Sequence, residues 1–292
     1  MIDLHTHSNA SDGSLSPGAL VTEAAKRGLS ALALTDHDTI DGLAEAEEAA
    51  GKAGIRFIRG IELEIAWRQE PKETPPGPLS GPCGEFHLLG LGINRPSPAF
   101  LAAVTELIRC RDMRNQEILN RMAELNIEAR YDDIKALAGG RSIGRLHFAA
   151  FLVNRGIVKN QEQAFSRYLS PGKPFYAPKA GLKFDRAVAL IRESGGIAVI
   201  AHPMSLYVAW GKLPDLVKNL KEQGLDGLEA WHPTAKVKDC KRLEELGKTL
   251  GLRITAGSDF HGEARPDRKL GITAGDKKID DSFLEALNLT RN

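Results

Sequence analysis

The chain has few cysteines, few aromatic residues and no surplus of either charge. Its three cysteines, Cys83, Cys110 and Cys240, are odd in number and lack metal-site or disulfide spacing, which argues against a disulfide-stapled secreted scaffold. They are given no role. Lys plus Arg number 39 against 38 Asp plus Glu, so no global basic field exists to hold long nucleic acid through many phosphates at once. Any phosphate contact must therefore be local. Aromatic content of 6% offers little for stacking along an extended single strand. No apolar run approaches the roughly 18 residues of a membrane span, and the opening Met1-Ile2-Asp3-Leu4-His5 has no basic or apolar leader region. A cytoplasmic protein without a membrane partner is expected.

What is present is ordinary for a globular enzyme. Hydrophobic residues make up 42% and charged residues 26% of 292 residues, enough for one barrel-sized domain or one domain with an insert. Apolar runs at 2–4, 31–34, 56–65, 86–91, 197–201, 227–230 and 252–256 predict about seven buried strands. Segments 17–27, 43–53, 184–194 and 213–223 repeat apolar residues at three- and four-residue spacing, with Gly beyond the end, and predict helices between them. This alternation implies an α/β fold with a mainly parallel sheet, possibly closed as a barrel. Residues 71–84, rich in Pro and Gly, predict a loop between two strands. Residues 98–178 carry helical patterns at 100–125, 131–138, 145–155 and 161–168 and no convincing strand. They predict a helical insert over the strand ends, within a barrel formed by 1–97 and 179–292.

Most of the eight histidines fall beside a strand end. His5 and His7 alternate, so period-two geometry points both imidazoles to one side. Asp12 follows in a Ser-Asp-Gly turn, His37 in Thr35-Asp36-His37-Asp38, Glu62 in Gly60-Ile61-Glu62 and His87 in Phe86-His87-Leu88. His202 sits in Ala201-His202-Pro203, and Asp259 and His261 in Gly257-Ser258-Asp259-Phe260-His261. A parallel barrel gathers such groups at the C-terminal ends of its strands. A lone strand-end histidine is usually structural, but six histidines with three acids would leave buried charges costing several kcal/mol without partners. Imidazoles mixed with carboxylates suit Zn, Mn or Fe, and nine ligands exceed the needs of one ion, implying two or three.

Taken together and in this order, Asp3-Leu4-His5-Thr6-His7-Ser8 with Ser11-Asp12-Gly13, Thr35-Asp36-His37-Asp38, Ala201-His202-Pro203 and Gly257-Ser258-Asp259-Phe260-His261 resemble the four motifs of the PHP (polymerase and histidinol phosphatase) superfamily. The resemblance implies a distorted (β/α)7 barrel with a trinuclear metal site, manganese preferred. By motif, His5, His7, Glu62 and Asp259 would hold one ion; Glu62 would bridge to a second held by His87 and His202; Asp12, His37 and His261 would hold the third. Ser142-Ile143-Gly144-Arg145-Leu146-His147-Phe148-Ala149 and Tyr168-Leu169-Ser170-Pro171-Gly172-Lys173-Pro174 are similar to the bacterial nucleoside 3′,5′-bisphosphate phosphatase and RNase AM group. That implies removal of a 3′-phosphate, with trimming of short 5′-phosphorylated RNA as the alternative.

The expected chemistry is in-line attack on phosphorus by a water whose pKa the ions lower from 15.7 to about 7. His232, at the end of the sixth strand, and His147 are the histidines left over and the candidates for general acid or phosphate contact. Ser8, Arg145, Lys179 and Arg265 are the candidates for gripping a second phosphate. The expected partner is a small nucleotide or short oligonucleotide. Histidinol-phosphate phosphatase and a non-catalytic metal-binding accessory module are the competing readings. The complete ligand set, with no polymerase following, favours an enzyme.

Overall fold

The computed structural model describes residues 1–66, 84–138, 142–178 and 180–289. Lys179, Cys83 and all but the last residue of the expected 71–84 loop lie outside them. Seven strands form one sheet in chain order: β1 (Ile2–Asp3), β2 (Ala31–Leu34), β3 (Arg56–Glu64), β4 (His87–Leu91), β5 (Ile197–Ile200), β6 (Gly227–Trp231) and β7 (Arg253–Ala256). Beyond the last of these pairings, His7 N–H donates to Phe260 O (2.9 Å) and Asp259 N–H to His5 O (2.9 Å), so the first and last strands meet and the sheet curls into a barrel. This is the expected α/β barrel. All neighbours run parallel except β4, which is antiparallel to both β3 and β5. Parallel neighbours need a crossover, usually a helix, and no helix is seen among the described residues between β3 and β4, so β4 runs back. A reversed strand presents its first residue where the others present their last, which brings His87 to the same rim.

Local chemistry sets the helices. Ser16 and Ser97 accept the N–H of Ala19 (3.2 Å) and Phe100 (3.1 Å), and Pro17 and Pro98 open α1 (Pro17–Lys26) and α3 (Pro98–Glu124) at the position where a missing N–H costs nothing. Between them α2 (Leu43–Ala53) ends at Gly54 in the left-handed region, φ 70°. Leu20, Val21, Leu43 and Ala46 of α1 and α2 pack on Leu32 and Leu34. The main core joins Ile61, Leu63, Leu89 and Ile200 to α7 (Phe184–Glu193), α8 (Leu213–Glu222) and α9 (Val237–Thr249), while α4 (Tyr131–Ala138), α5 (Arg145–Asn154) and α6 (Gln161–Ala164) fall between α3 and α7.

Within 98–178 the described residues contain helices and no strand. The pattern expected at 161–168 begins as α6 and widens into a π-helical turn, Phe165–Leu169. This region buries its own cluster, with Ile118, Met122, Ile134, Phe148, Leu152 and Phe175 at its centre. The first half of α3 belongs instead to the barrel core through Phe100, Val104 and Leu107. One helix thus ties the two bodies together. Among the described residues no helix is long and apolar enough to cross a membrane.

Candidate metal centre and cleft

Glu62 lies fully buried near the end of β3, and five imidazoles surround its carboxylate. Oε2 lies 3.3 Å from His5 Nε2, 3.2 Å from His7 Nε2 and 3.1 Å from His37 Nδ1. Oε1 lies 2.9 Å from both His87 Nδ1 and His202 Nε2. Asp259 Oδ1 stands 3.2 Å from His7 Nε2 and 3.5 Å from His5 Nε2, and Asp12 Oδ1 is 3.2 Å from His261 Nε2. All nine residues expected as ligands therefore meet at one end of the barrel. Three sets converge with their donor atoms within 4.8 Å of one another: His5, His7, Glu62 and Asp259; His7, Asp12, His37 and His261; and His37, Glu62 and His87. His37 thus reaches toward Glu62 and His87 as well as toward Asp12 and His261.

The donor chemistry fits divalent cations. His5 Nε2 and His7 Nε2 face each other at 3.1 Å, both against the same carboxylate oxygen. His261 Nε2 is buried and off line for a hydrogen bond to Asp12. Imidazole nitrogens that converge with carboxylate oxygens on one point suit a cation. Burial opposes ionisation of Glu62, yet His37, His5 and His87 outweigh it and hold its carboxyl well below the usual range. Burial would lower His5 and His87, but Glu229 with Glu62, and Glu62 with Glu64, raise each to about 10. Burial prevails at His202, which is lowered, and at His261, lowered to about 4. In the metal-free protein the cluster therefore divides into protonated and neutral rings.

Residues without a sequence assignment orient this cluster. Glu229, buried in β6, accepts His5 Nδ1–H at Oε1 (3.0 Å) and the His202 main-chain N–H at Oε2 (2.6 Å). Its only signal in the sequence is a carboxylate inside an otherwise apolar strand. A Cβ on Gly257 would meet His5 Cβ and stand 2.7 Å from Glu229 Oε1, so only glycine fits beside this pair. Asp36 accepts Ser8 N–H (2.7 Å), Ser8 Oγ–H (2.6 Å) and Ser11 Oγ–H (2.6 Å), fastening the turn that carries Asp12. Asp38, His202 and Asp259 hold φ of 50°, 27° and 51°, a region costing non-glycine residues of order 1–3 kcal/mol each. Three such residues at one site mark stored strain.

The cluster opens onto a cleft of about 250 Å³ whose walls include Asp12, His37, His87, Arg111, Arg114, Arg145, His147 and Arg265. Arg145 pairs with Glu85 Oε1 at 3.1 Å. Arg111 contacts Asp38 Oδ2 and Ser142 Oγ, and lies 3.4 Å from His37 O. One sequence expectation fails here. Ser8 is buried with its hydroxyl committed to Asp36, so it does not reach the cleft. His232, buried just beyond a register shift in β6, stands with Nε2 3.2 Å from Asp259 Oδ2 and Nδ1 2.8 Å from Thr234 Oγ1. Arg111 and Arg114 went unassigned because arginines on a long polar helix carry no motif.

A cluster fit to hold cations and guanidinium groups lining the same cleft suit anionic oxygen, and the class this defines is a metal-dependent phosphoesterase. The chain belongs to the PHP domain family, whose model matches residues 3–173, over half its length. It is 36% identical over 260 residues to a 5′-3′ exoribonuclease of Haemophilus influenzae, covering 89% of each chain. It is also 33% identical to a 3′,5′-nucleoside bisphosphate phosphatase of Chromobacterium violaceum, covering 93% of this chain and 91% of the relative. Among solved structures, an amidohydrolase from Chromobacterium violaceum with bound sulfate and no metal matches with a TM-score of 0.81 and 30% identity, over 98% of this chain and 96% of that one.

Proposed function

We propose that this enzyme removes the 3′-phosphate from nucleoside 3′,5′-bisphosphates. The observation that carries the reading is the mixed lining of the cleft, where Asp12, His37 and His87 share the surface with Arg111, Arg114, Arg145 and Arg265. The ligand residues suit the phosphate that reacts, the guanidinium groups a phosphate that does not. The name of the Chromobacterium relative supports this reading.

In this reading His5, His7, Glu62 and Asp259 hold one ion, Glu62 with His87 and His202 a second, and Asp12, His37 and His261 a third, manganese being preferred. Such ions, when bound, supply Lewis acidity toward phosphoryl oxygens and activate water. The chain's own groups orient the site. Glu229 accepts the hydrogen bond of His5 Nδ1–H and so turns the Nε2 lone pair inward, and Ser205 Oγ, 2.8 Å from His202 Nδ1, does the same for His202. Arg145 and Arg265 offer planar forks to the distal phosphate. Residues 98–178 act as an insert that supplies Arg111, Arg114 and Arg145 to the cleft. The small cleft and near-neutral net charge favour a nucleotide or short oligonucleotide over long nucleic acid, and the few, widely spaced cysteines favour a cytoplasmic location.

The exoribonuclease name of the Haemophilus relative favours a second reading, 5′ to 3′ trimming of short 5′-phosphorylated RNA in the same cleft. Metal analysis with phosphate release from adenosine 3′,5′-bisphosphate, a 5′-phosphorylated trinucleotide and histidinol phosphate decides between them. The bisphosphate is expected to give the highest kcat/KM. A preference for the trinucleotide would install the second reading, and a preference for histidinol phosphate would overturn both.

A further inference from the structure

The N-terminus of α5 is capped in an unusual way. Gly144, at the cap position, has no side chain to offer, and its N–H donates instead to His147 Nδ1 at 2.9 Å. A nitrogen that accepts carries no proton, so the ring's single proton sits on Nε2. That atom has no hydrogen-bonding partner among the described residues, and the ring lines the cleft. Burial lowers the pKa of His147, which keeps the ring uncharged and the cap intact.

The wall behind it is braced. Arg111 contacts Ser142 Oγ, and the buried Asn115 donates from Nδ2 to Ile143 O at 3.1 Å, so 142, 143 and 144 each spend a polar group holding this turn in place. Between Arg111 and Asn115 on α3 stands Arg114. Its Nη2 reaches only the neighbouring Asn115 Oδ1 (2.9 Å), its Nε is buried without a partner, and no carboxylate lies within ion-pair distance among the described residues. Burial, with the like charges of Arg111 and Arg145, pushes it down to about 10. Arg111 is paired with Asp38 and Arg145 with Glu85, whereas Arg114 makes no ion pair among the described residues and feels Glu64 and Asp38 only from a distance.

We propose that His147 is an uncharged hydrogen-bond donor to an oxygen of the substrate's non-reacting phosphate, with Arg114 of the same cleft adding its charge to those of Arg145 and Arg265. This rests on the bisphosphate reading above. It also removes His147 from the role of general acid, because a neutral imidazole that gives up its Nε2 proton becomes an anion. The pair discriminates substrates: a fixed donor and an unpaired guanidinium reward a second phosphate and leave its absence uncompensated.

Asparagine at 147 keeps an oxygen near the Nδ1 position for the Gly144 cap and has nothing at the Nε2 position, whereas glutamine carries an amide N–H to the Nε2 position. With the manganese-loaded enzyme, His147→Asn is expected to weaken adenosine 5′-monophosphate binding, read by calorimetry, about tenfold or more. Its kcat/KM should fall at least about tenfold further on adenosine 3′,5′-bisphosphate than on adenosine 3′-monophosphate, and His147→Gln should recover most of that loss. Equal losses on the two substrates, or a glutamine variant as impaired as the asparagine one, would overturn the proposal. A wild-type enzyme that binds adenosine 5′-monophosphate through His147 yet hydrolyses neither nucleotide would instead sink the bisphosphate reading. Thermal midpoint and metal content of both variants separate these results from misfolding.

Discussion

Glu229→Gln tests the architecture of the metal centre without touching a ligand. The wild-type carboxylate is held down to about 2, because His5, opposing the effect of burial, stabilises its charge, so it is ionised at any working pH. It accepts two N–H groups, from His5 Nδ1 and from the His202 main chain. An amide has one accepting oxygen. If that oxygen faces His5, the NH2 points at the His202 N–H from 2.6 Å, and two donors collide. If the amide turns over, the NH2 meets His5 Nδ1 and drives the ring's proton to Nε2, which abolishes the lone pair facing Glu62. The first orientation leaves a buried donor unmet, worth about 1–3 kcal/mol, and the second removes a ligand lone pair. Removing such an orienting partner lowers metal affinity about 10–100-fold, or about 1.4–2.8 kcal/mol. The assay is equilibrium dialysis against buffered manganese, read with the thermal midpoint of the metal-free protein. Wild-type affinity and an unchanged midpoint in Glu229→Gln would refute the reasoning.

Three further outcomes are expected. Gly257→Ala forces a methyl group against His5 and Glu229; a cost of about 1–3 kcal/mol in urea denaturation should accompany lost metal binding, and a variant that binds metal normally would show that the site yields. Phe148→Ala empties the centre of the second cluster and should cost about 3–5 kcal/mol, and a loss below about 1 kcal/mol would mean that the cluster is loosely packed. Metal loading should release protons: His5 and His87, raised to about 10, are protonated in the metal-free protein at neutral pH and must be neutral to ligate. Affinity should therefore climb as pH rises from about 6 to 9, by up to tenfold per unit for each proton displaced. A pH-independent affinity would contradict it.

The strands were legible because each is a short apolar run, and the ligand cluster because period two aligns His5 with His7 while strand ends supply the rest. Direction was not legible: an apolar run reads the same whichever way it lies, so the reversal of β4 appears only in its pairing with Glu62 and Glu64. Ser8 looked free because a serine beside a motif resembles a phosphate contact, and nothing local announces that Asp36, 28 positions on, takes its hydroxyl. Glu229 acts through a partner distant in sequence, which no spacing rule encodes.

The seam where His5-Thr6-His7 meets Asp259-Phe260 gives the chain a clock as well as a shape. A growing polypeptide exposes its first histidines roughly 10–50 s before the last motif emerges, at ordinary rates of synthesis. Through that interval it carries strong metal ligands that have no barrel to arrange them. Until β7 docks against β1, the nascent chain holds scattered imidazoles and no assembled site. A chain ending before Gly257 should accordingly retain far less manganese than the full chain, although it keeps seven of the nine ligands.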